Sequence, residues 1–111
     1  MKNRDSPIVY ICSRYSGNIK ENTRMAKRYC RYAIDRGCVP IVPHLYLPSV
    51  LSEETERELA LQLDLKLIER CDEIWVCGEL SDGMVCEMSY AAKHGIPMRR
   101  IRKENLRCTK F

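Results

Sequence analysis

Two acidic residues stand where their neighbours ask for a core. Glu87 lies in "SDGMVCEMSYAAKHGIP" (residues 81–97), just past the first turn of an expected helix and among Met84, Val85, Cys86 and Met88. Asp64 lies in "LALQLDLKLIERCD", between Leu63 and Leu65 of a leucine-rich stretch. Two carboxyls in different environments suit cleavage of a glycosidic bond: one stays ionised as nucleophile, and the other, with a raised pKa, delivers a proton to the leaving group. Each residue also has a plainer reading. With Val85, Met88 and Ala92 turned to a sheet, Glu87 sits on a helix flank; Leu61, Leu63, Leu65 and Leu67 point several ways, so Asp64 can face solvent. Tyr10 stands in an apolar run where a tyrosine commonly packs as core. Its hydroxyl then needs a partner, and a carboxylate at a strand end would be one.

Elements that could bring these residues together alternate along the chain. "PIVYICS" (residues 7–13) reads as a strand buried on both faces. Asn18 is an N-cap, Glu21 completes a capping-box-like pattern, and apolar positions then recur at helical spacing until Gly37. "CVPIVP" (residues 38–43) is a second strand whose prolines suit an edge. "HLYLPSVL" is a loop, Ser52 can cap a helix reaching about Arg70, and "DEIWVCG" (residues 72–78) is a third strand. Ser81 or Asp82 caps the next helix, Gly95 ends it, and "IPMRRI" (residues 96–101) is a fourth strand. Strand–helix alternation implies right-handed crossovers, hence an α/β, flavodoxin/Rossmann-like three-layer sandwich with a parallel sheet between helices. The expected strand order is 2-1-3-4.

In such sheets ligands bind beyond the carboxyl ends of the strands, at the switch between the first and third. That rule selects Cys12, Ser13, Arg14, Tyr15, Ser16 and Gly17 after the first strand, with Asn22 in the helix that follows. It selects His44 after the second strand, and Gly78, Ser81, Gly83 and Met84 after the third. Ser81 and Gly83 open a helix whose backbone N–H groups could bind an anion, and Arg14 could contact a phosphate. Each has a structural reading too, as cap, turn or core.

The chain of 111 residues, 45% hydrophobic and 31% charged, is expected to form one soluble domain over residues 1–111. The N-terminal "MKNRDSP" lacks an apolar secretory segment, and no run reaches the roughly 18 apolar residues of a membrane span, so a cytoplasmic location is expected. Seven scattered cysteines without a CxxC pair read as reduced and buried, with no metal site. A net charge of +4 owes much to a basic tail from about residue 99. No aromatic stacking platform accompanies that tail, so it reads as a solvated, partly frayed terminus, and a nucleic-acid partner is not expected. GxGxxG and GxxxxGK[ST] are both missing, so no dinucleotide cofactor is expected. The leucines of the second helix exceed what one sheet face needs, which points to a homo-oligomer, a dimer or larger.

"YICS", "PH" after the second strand, Asp64 eight residues before Asp72, and "SDGMVCE" after the third strand occur in this order. Together they resemble the nucleoside 2-deoxyribosyltransferase superfamily, which includes 2′-deoxynucleoside 5′-monophosphate N-glycosidases and many small bacterial and phage proteins. The resemblance covers residues 7–98 and implies roles. Glu87 would be the nucleophile on the anomeric carbon, Asp64 would handle the proton of the departing base, and Tyr10 would hold the nucleophile. Ser81 and Gly83 resemble the phosphate-side loop of the monophosphate hydrolases, and His44 resembles their substrate-site histidine. The implied function is cleavage of the base–sugar bond of a nucleotide or nucleoside, without a cofactor. The alternative is a non-catalytic module holding a nucleotide-like ligand in the same cleft.

Overall fold

The computed structural model describes residues 6–106. In chain order the elements are β1 (Ile8–Cys12), α1 (Ile19–Asp35), β2 (Val39–Ile41), α2 (Arg57–Glu69), β3 (Glu73–Cys77), α3 (Asp82–Lys93) and β4 (Met98–Ile101). All strand pairs are parallel and the sheet order is β2-β1-β3-β4, the order expected from the alternation. In register, Tyr10 stands beside Ile41 on one side and Ile74 on the other. Pro40 lies in β2, an edge strand, where a missing N–H leaves fewer ladder bonds unmade.

Period-two alternation in β1 and β3 creates two cores, one on each face of the sheet. Val9, Ile11, Trp75 and Cys77 pack on Ala26, Tyr29, Tyr32 and Ala33 of α1. Tyr10, Cys12, Ile74 and Val76 face Ile68 of α2 and Met84 and Ala91 of α3. Each such large side chain contributes roughly 1.5–3 kcal/mol through burial. Tyr10 therefore sits on the same face as the two helices that carry the acids.

Helix starts follow the cap chemistry in two cases and depart from it in one. Asn18 Oδ1 accepts from the Glu21 N–H at 3.2 Å, and Ser81 Oγ accepts from the Met84 N–H at 3.4 Å. Glu21 does not complete the reciprocal box; its carboxylate accepts from Nε and Nη2 of Arg24 instead, at 3.0 and 2.8 Å. Ser52 does not cap α2. It closes a separate turn in which its carbonyl accepts from the Glu56 N–H and its N–H donates to Glu56 Oε1 at 2.8 Å. The loop before it is wound into 3-10 turns at Pro43–Leu45 and Leu47–Ser49.

The basic segment departs from the expected frayed terminus at Lys103–Leu106, while Arg99 and Arg100 lie in the strand expected for them. Arg99 and Arg100 belong to β4, and Arg99 lies 3.6 Å from Glu73 and over the Trp75 ring. A 3-10 turn over Lys103–Leu106 buries Leu106, whose carbonyl accepts from Arg28 at 3.1 Å. An apolar anchor and a cation from α1 thus tie this stretch down; Arg107, Cys108 and Lys110 lie outside the described residues. Cys12, Cys30, Cys38, Cys71, Cys77 and Cys86 are free thiols. Cys86 is exposed rather than buried, because α3 turns Met84 and Glu87 inward instead.

Gly78 ends β3 with φ +74°, and a Cβ there would stand 3.0 Å from the Tyr29 hydroxyl. Only glycine holds that conformation without strain. Gly78→Ala is expected to lower stability by about 1–2 kcal/mol from the left-handed backbone alone; chemical denaturation of the two proteins checks it.

Candidate active site

The side chains of β1 point alternately to the two faces, so Tyr10 emerges beneath α3. Its hydroxyl donates to Glu87 Oε2 at 3.1 Å, across a sequence separation of 77 residues. Met84, Glu87 and Ala91 form the buried stripe of α3, at helical spacing, whereas Val85 is 47% exposed and Ala92 faces solvent. The flank reading of Glu87 is therefore reversed. Asp64 is likewise turned inward: it is 6% exposed while its neighbour Leu63 is 37% exposed. One oxygen of Asp64, Oδ1, is buried without a hydrogen-bond partner.

Both acids line a cavity of about 530 Å³ beyond the carboxyl ends of β1 and β3. Burial pushes the Glu87 carboxyl well above the usual carboxylate range, and Asp64 beside it adds to the shift. Burial raises Asp64 as well, opposed by its contact with Glu87 and by His44. Tyr10 is raised by burial and then by the two carboxylates, so its hydroxyl stays protonated and remains a donor. Two buried carboxyls lining one cavity do not both ionise readily. With burial raising both, the two acids between them hold a proton at pH values above the range of ordinary carboxylates.

This arrangement has a stability consequence. Groups whose folded pKa is raised stabilise the fold fully only below their unfolded pKa, and that contribution is lost as pH rises to the folded pKa. Glu87→Gln keeps an acceptor for Tyr10 and removes the ionisation. The variant is expected to be more stable than the parent at pH 8, by about 1–3 kcal/mol given the cost of burying a charge-bearing group imperfectly paired. The difference should vanish as pH falls to about 4, the unfolded glutamate pKa. Thermal melts across pH check this; a constant difference at every pH would contradict it.

The rim is built from loops and helix starts. His44 Nε2–H donates to the Ser13 carbonyl at 2.9 Å, which selects that tautomer, and its ring lies 5.1 Å from the Tyr15 ring. Arg14 donates to the Leu80 carbonyl at 3.4 Å and lies 3.7 Å from Glu79. Ser81, Gly83 and Met84 bring the N-terminus of α3 to the cavity, and Ser13, Ser16, Tyr15 and His44 line it opposite. Cys12 is buried below, with its thiol 3.9 Å from the Met84 carbonyl. Gly17 lines neither this cavity nor the second one described below; its φ of +99° serves the turn before α1. Asn22 donates to the carbonyls of Tyr15 and Ser16 at 3.1 and 2.9 Å, shaping that loop from behind. Asn22 and Gly78 border a different cavity.

Arg57 was not legible as a site residue, yet it lines the cleft and donates to Ser16 Oγ at 3.2 Å. Leu61 and Asp82 also line it. Arg57, Leu61 and Asp64 fall at i, i+4 and i+7 on one side of α2, but leucines all round that helix hide which side faces inward. Among the described residues, no group of three or more His, Cys, Asp or Glu is arranged to hold a metal ion. No helix among them is long and apolar enough to cross a membrane.

Among solved structures, the fold matches the 2-deoxyribosyltransferase of Bacillus psychrosaccharolyticus with a TM-score of 0.68 and 21% identity, over 86% of this chain and 72% of that one. It matches the 2-deoxyribosyltransferase of Leishmania mexicana with a TM-score of 0.64 and 17% identity, over 86% of this chain and 64% of that one. The protein thus has a nucleoside 2-deoxyribosyltransferase-like fold. By sequence, residues 7–101 match a domain of unknown function, DUF7768, and the chain belongs to that family. A search of curated proteins finds no match.

Proposed function

We propose that the protein is an N-glycosidase or deoxyribosyltransferase acting on a nucleotide or nucleoside. The observation that carries this reading is the pair of buried acids on α2 and α3, meeting in one cleft with the Tyr10 hydroxyl on Glu87. Binding an anionic ligand gains nothing from two carboxyls; cleaving a glycosidic bond needs both.

In the first step a Glu87 oxygen bonds to the anomeric carbon. The carbon–nitrogen bond breaks, its electron pair stays on the base, and the shared proton passes from Asp64 to the base. In the second, a water oxygen bonds to the anomeric carbon, the Glu87 ester breaks, and Asp64 takes the water's proton. A second base in place of water makes the reaction a transfer. Tyr10 stabilises the carboxylate form of Glu87, and the unpartnered Asp64 Oδ1 suits contact with the base. Tyr15, His44 and Leu61 would flank the base or sugar, while Arg14, Arg57 and the N-terminus of α3 would hold a phosphate. The reading includes a homo-oligomer joined through the outer face of α2, where Leu59 and Leu63 are 42% and 37% exposed.

Incubation with a panel of deoxynucleoside and ribonucleoside monophosphates and free nucleosides, followed by chromatography for free base, tests the reading. Base release dependent on Glu87 supports it. Saturable binding of the same compounds with no release, with or without an acceptor base, would leave a binding module in its place.

A further inference from the structure

On the α1 side of the same sheet edge lies a second cavity, of about 500 Å³, large enough for a small metabolite. Its wall includes Tyr29 and Cys77, with Arg100, Arg102 and Lys103 around it. Tyr29 is 2% exposed, and its hydroxyl lies against Gly78, where a Cβ would stand 3.0 Å from it. Burial pushes that hydroxyl up to about 12, so at neutral pH it is a protonated donor at the cavity wall. A ligand oxygen in the cavity can accept from that hydroxyl.

The charge around the cavity favours an anion. Of the carboxylates that border it, Glu21 is held by Arg24 at 2.8 Å and Glu79 lies 3.7 Å from Arg14. Arg100, Arg102 and Lys103 then face Glu104 alone, and none of the three has an ion-pair partner among the described residues. Arg100 is anchored by donating to the Val76 carbonyl at 2.9 Å, and its other N–H groups have no partner among the described residues. One anchored guanidinium, a second arginine, a neighbouring ammonium and a phenolic donor match the oxygens of a phosphate.

The geometry points to a second binding site, separate from the catalytic cleft, for a small phosphate monoester. Its phosphate sits between Arg100, Arg102 and Lys103 and accepts from the Tyr29 hydroxyl. The site does not depend on the glycosyl chemistry proposed above, because neither acid of the cleft borders it.

Glycerol 3-phosphate is the probe, since it has neither a base nor an anomeric carbon for the cleft to engage. Calorimetric titration of the full chain at low salt should show saturable binding at one site. Arg102→Glu with Lys103→Glu should weaken it at least tenfold, the milder Lys103→Ala several-fold and Tyr29→Phe about threefold. Arg57→Ala and Glu87→Gln, both in the cleft, should leave it unchanged. Lys103→Ala alters one exposed side chain, so its result stands even where the double reversal harms folding. Three results overturn the proposal: no binding by the parent protein, binding lost in Arg57→Ala but kept in the Lys103 variants, or binding confined to single-stranded RNA with a steep salt dependence.

Discussion

Glu87→Gln is expected to reduce base release at least about 10³-fold, because it removes the only nucleophile the proposed reaction has. The amide still accepts from Tyr10, so the cleft keeps its shape and ligand affinity should change little. Chemistry and binding thus separate: the turnover rate falls and the binding constant does not. Mass spectrometry of protein quenched during turnover should show a glycosyl adduct on the parent that is missing from the variant. Tyr10→Phe is expected to cost less, about tenfold, the value of one hydrogen bond to a charged group. Undiminished release by Glu87→Gln would remove the nucleophile from the proposal.

Asp64→Asn is expected to lower the rate by about 10²–10⁴-fold with ordinary substrates, the usual worth of a positioned acid. The size of the loss should depend on the leaving group. An N7-methylated purine is already cationic and departs without a proton, so with that substrate the variant should approach the parent. A merely structural role for Asp64 would depress both substrates alike. The pH profile gives a second readout. In the parent, activity requires one proton on the pair: it falls at low pH as a second is added and at high pH as the last is lost. Burial raises both carboxyls, so the whole profile should lie above the range of exposed carboxylates. With asparagine at 64 the high-pH limb should disappear, leaving a rate that rises as Glu87 ionises and then stays level.

Strand–helix alternation, the caps at Asn18 and Ser81 and the glycine stops were enough to specify the layers, the strand order and the rim where a ligand would sit. Each is local: a cap or a stop acts over one turn of chain, and the alternation leaves few right-handed ways to close a parallel sheet. The loop selections were less uniform. Ser13, Tyr15, Ser16, His44, Ser81 and Gly83 reach the cleft, whereas Asn22 and Gly78 border the cavity behind it. Both groups follow strand ends, and which side of the sheet a loop residue faces depends on helices packed from elsewhere.

The rotation of α2 shows where local reading ends. Leucines at 59, 61, 63, 65 and 67 surround that helix, so its amphipathic signal is weak and no stripe marks the inner face. Packing against α3 and the sheet chose the phase that buries Asp64 and exposes Leu59 and Leu63. The same packing brought Arg57 over the cleft and set Asp64 beside a glutamate from another helix. Sequence alone thus supplied the residue types and the scaffold that could carry them. The meeting of Tyr10, Asp64 and Glu87 was decided by tertiary structure, because contacts between residues up to 77 positions apart follow from how helices seat on the sheet and not from spacing along the chain.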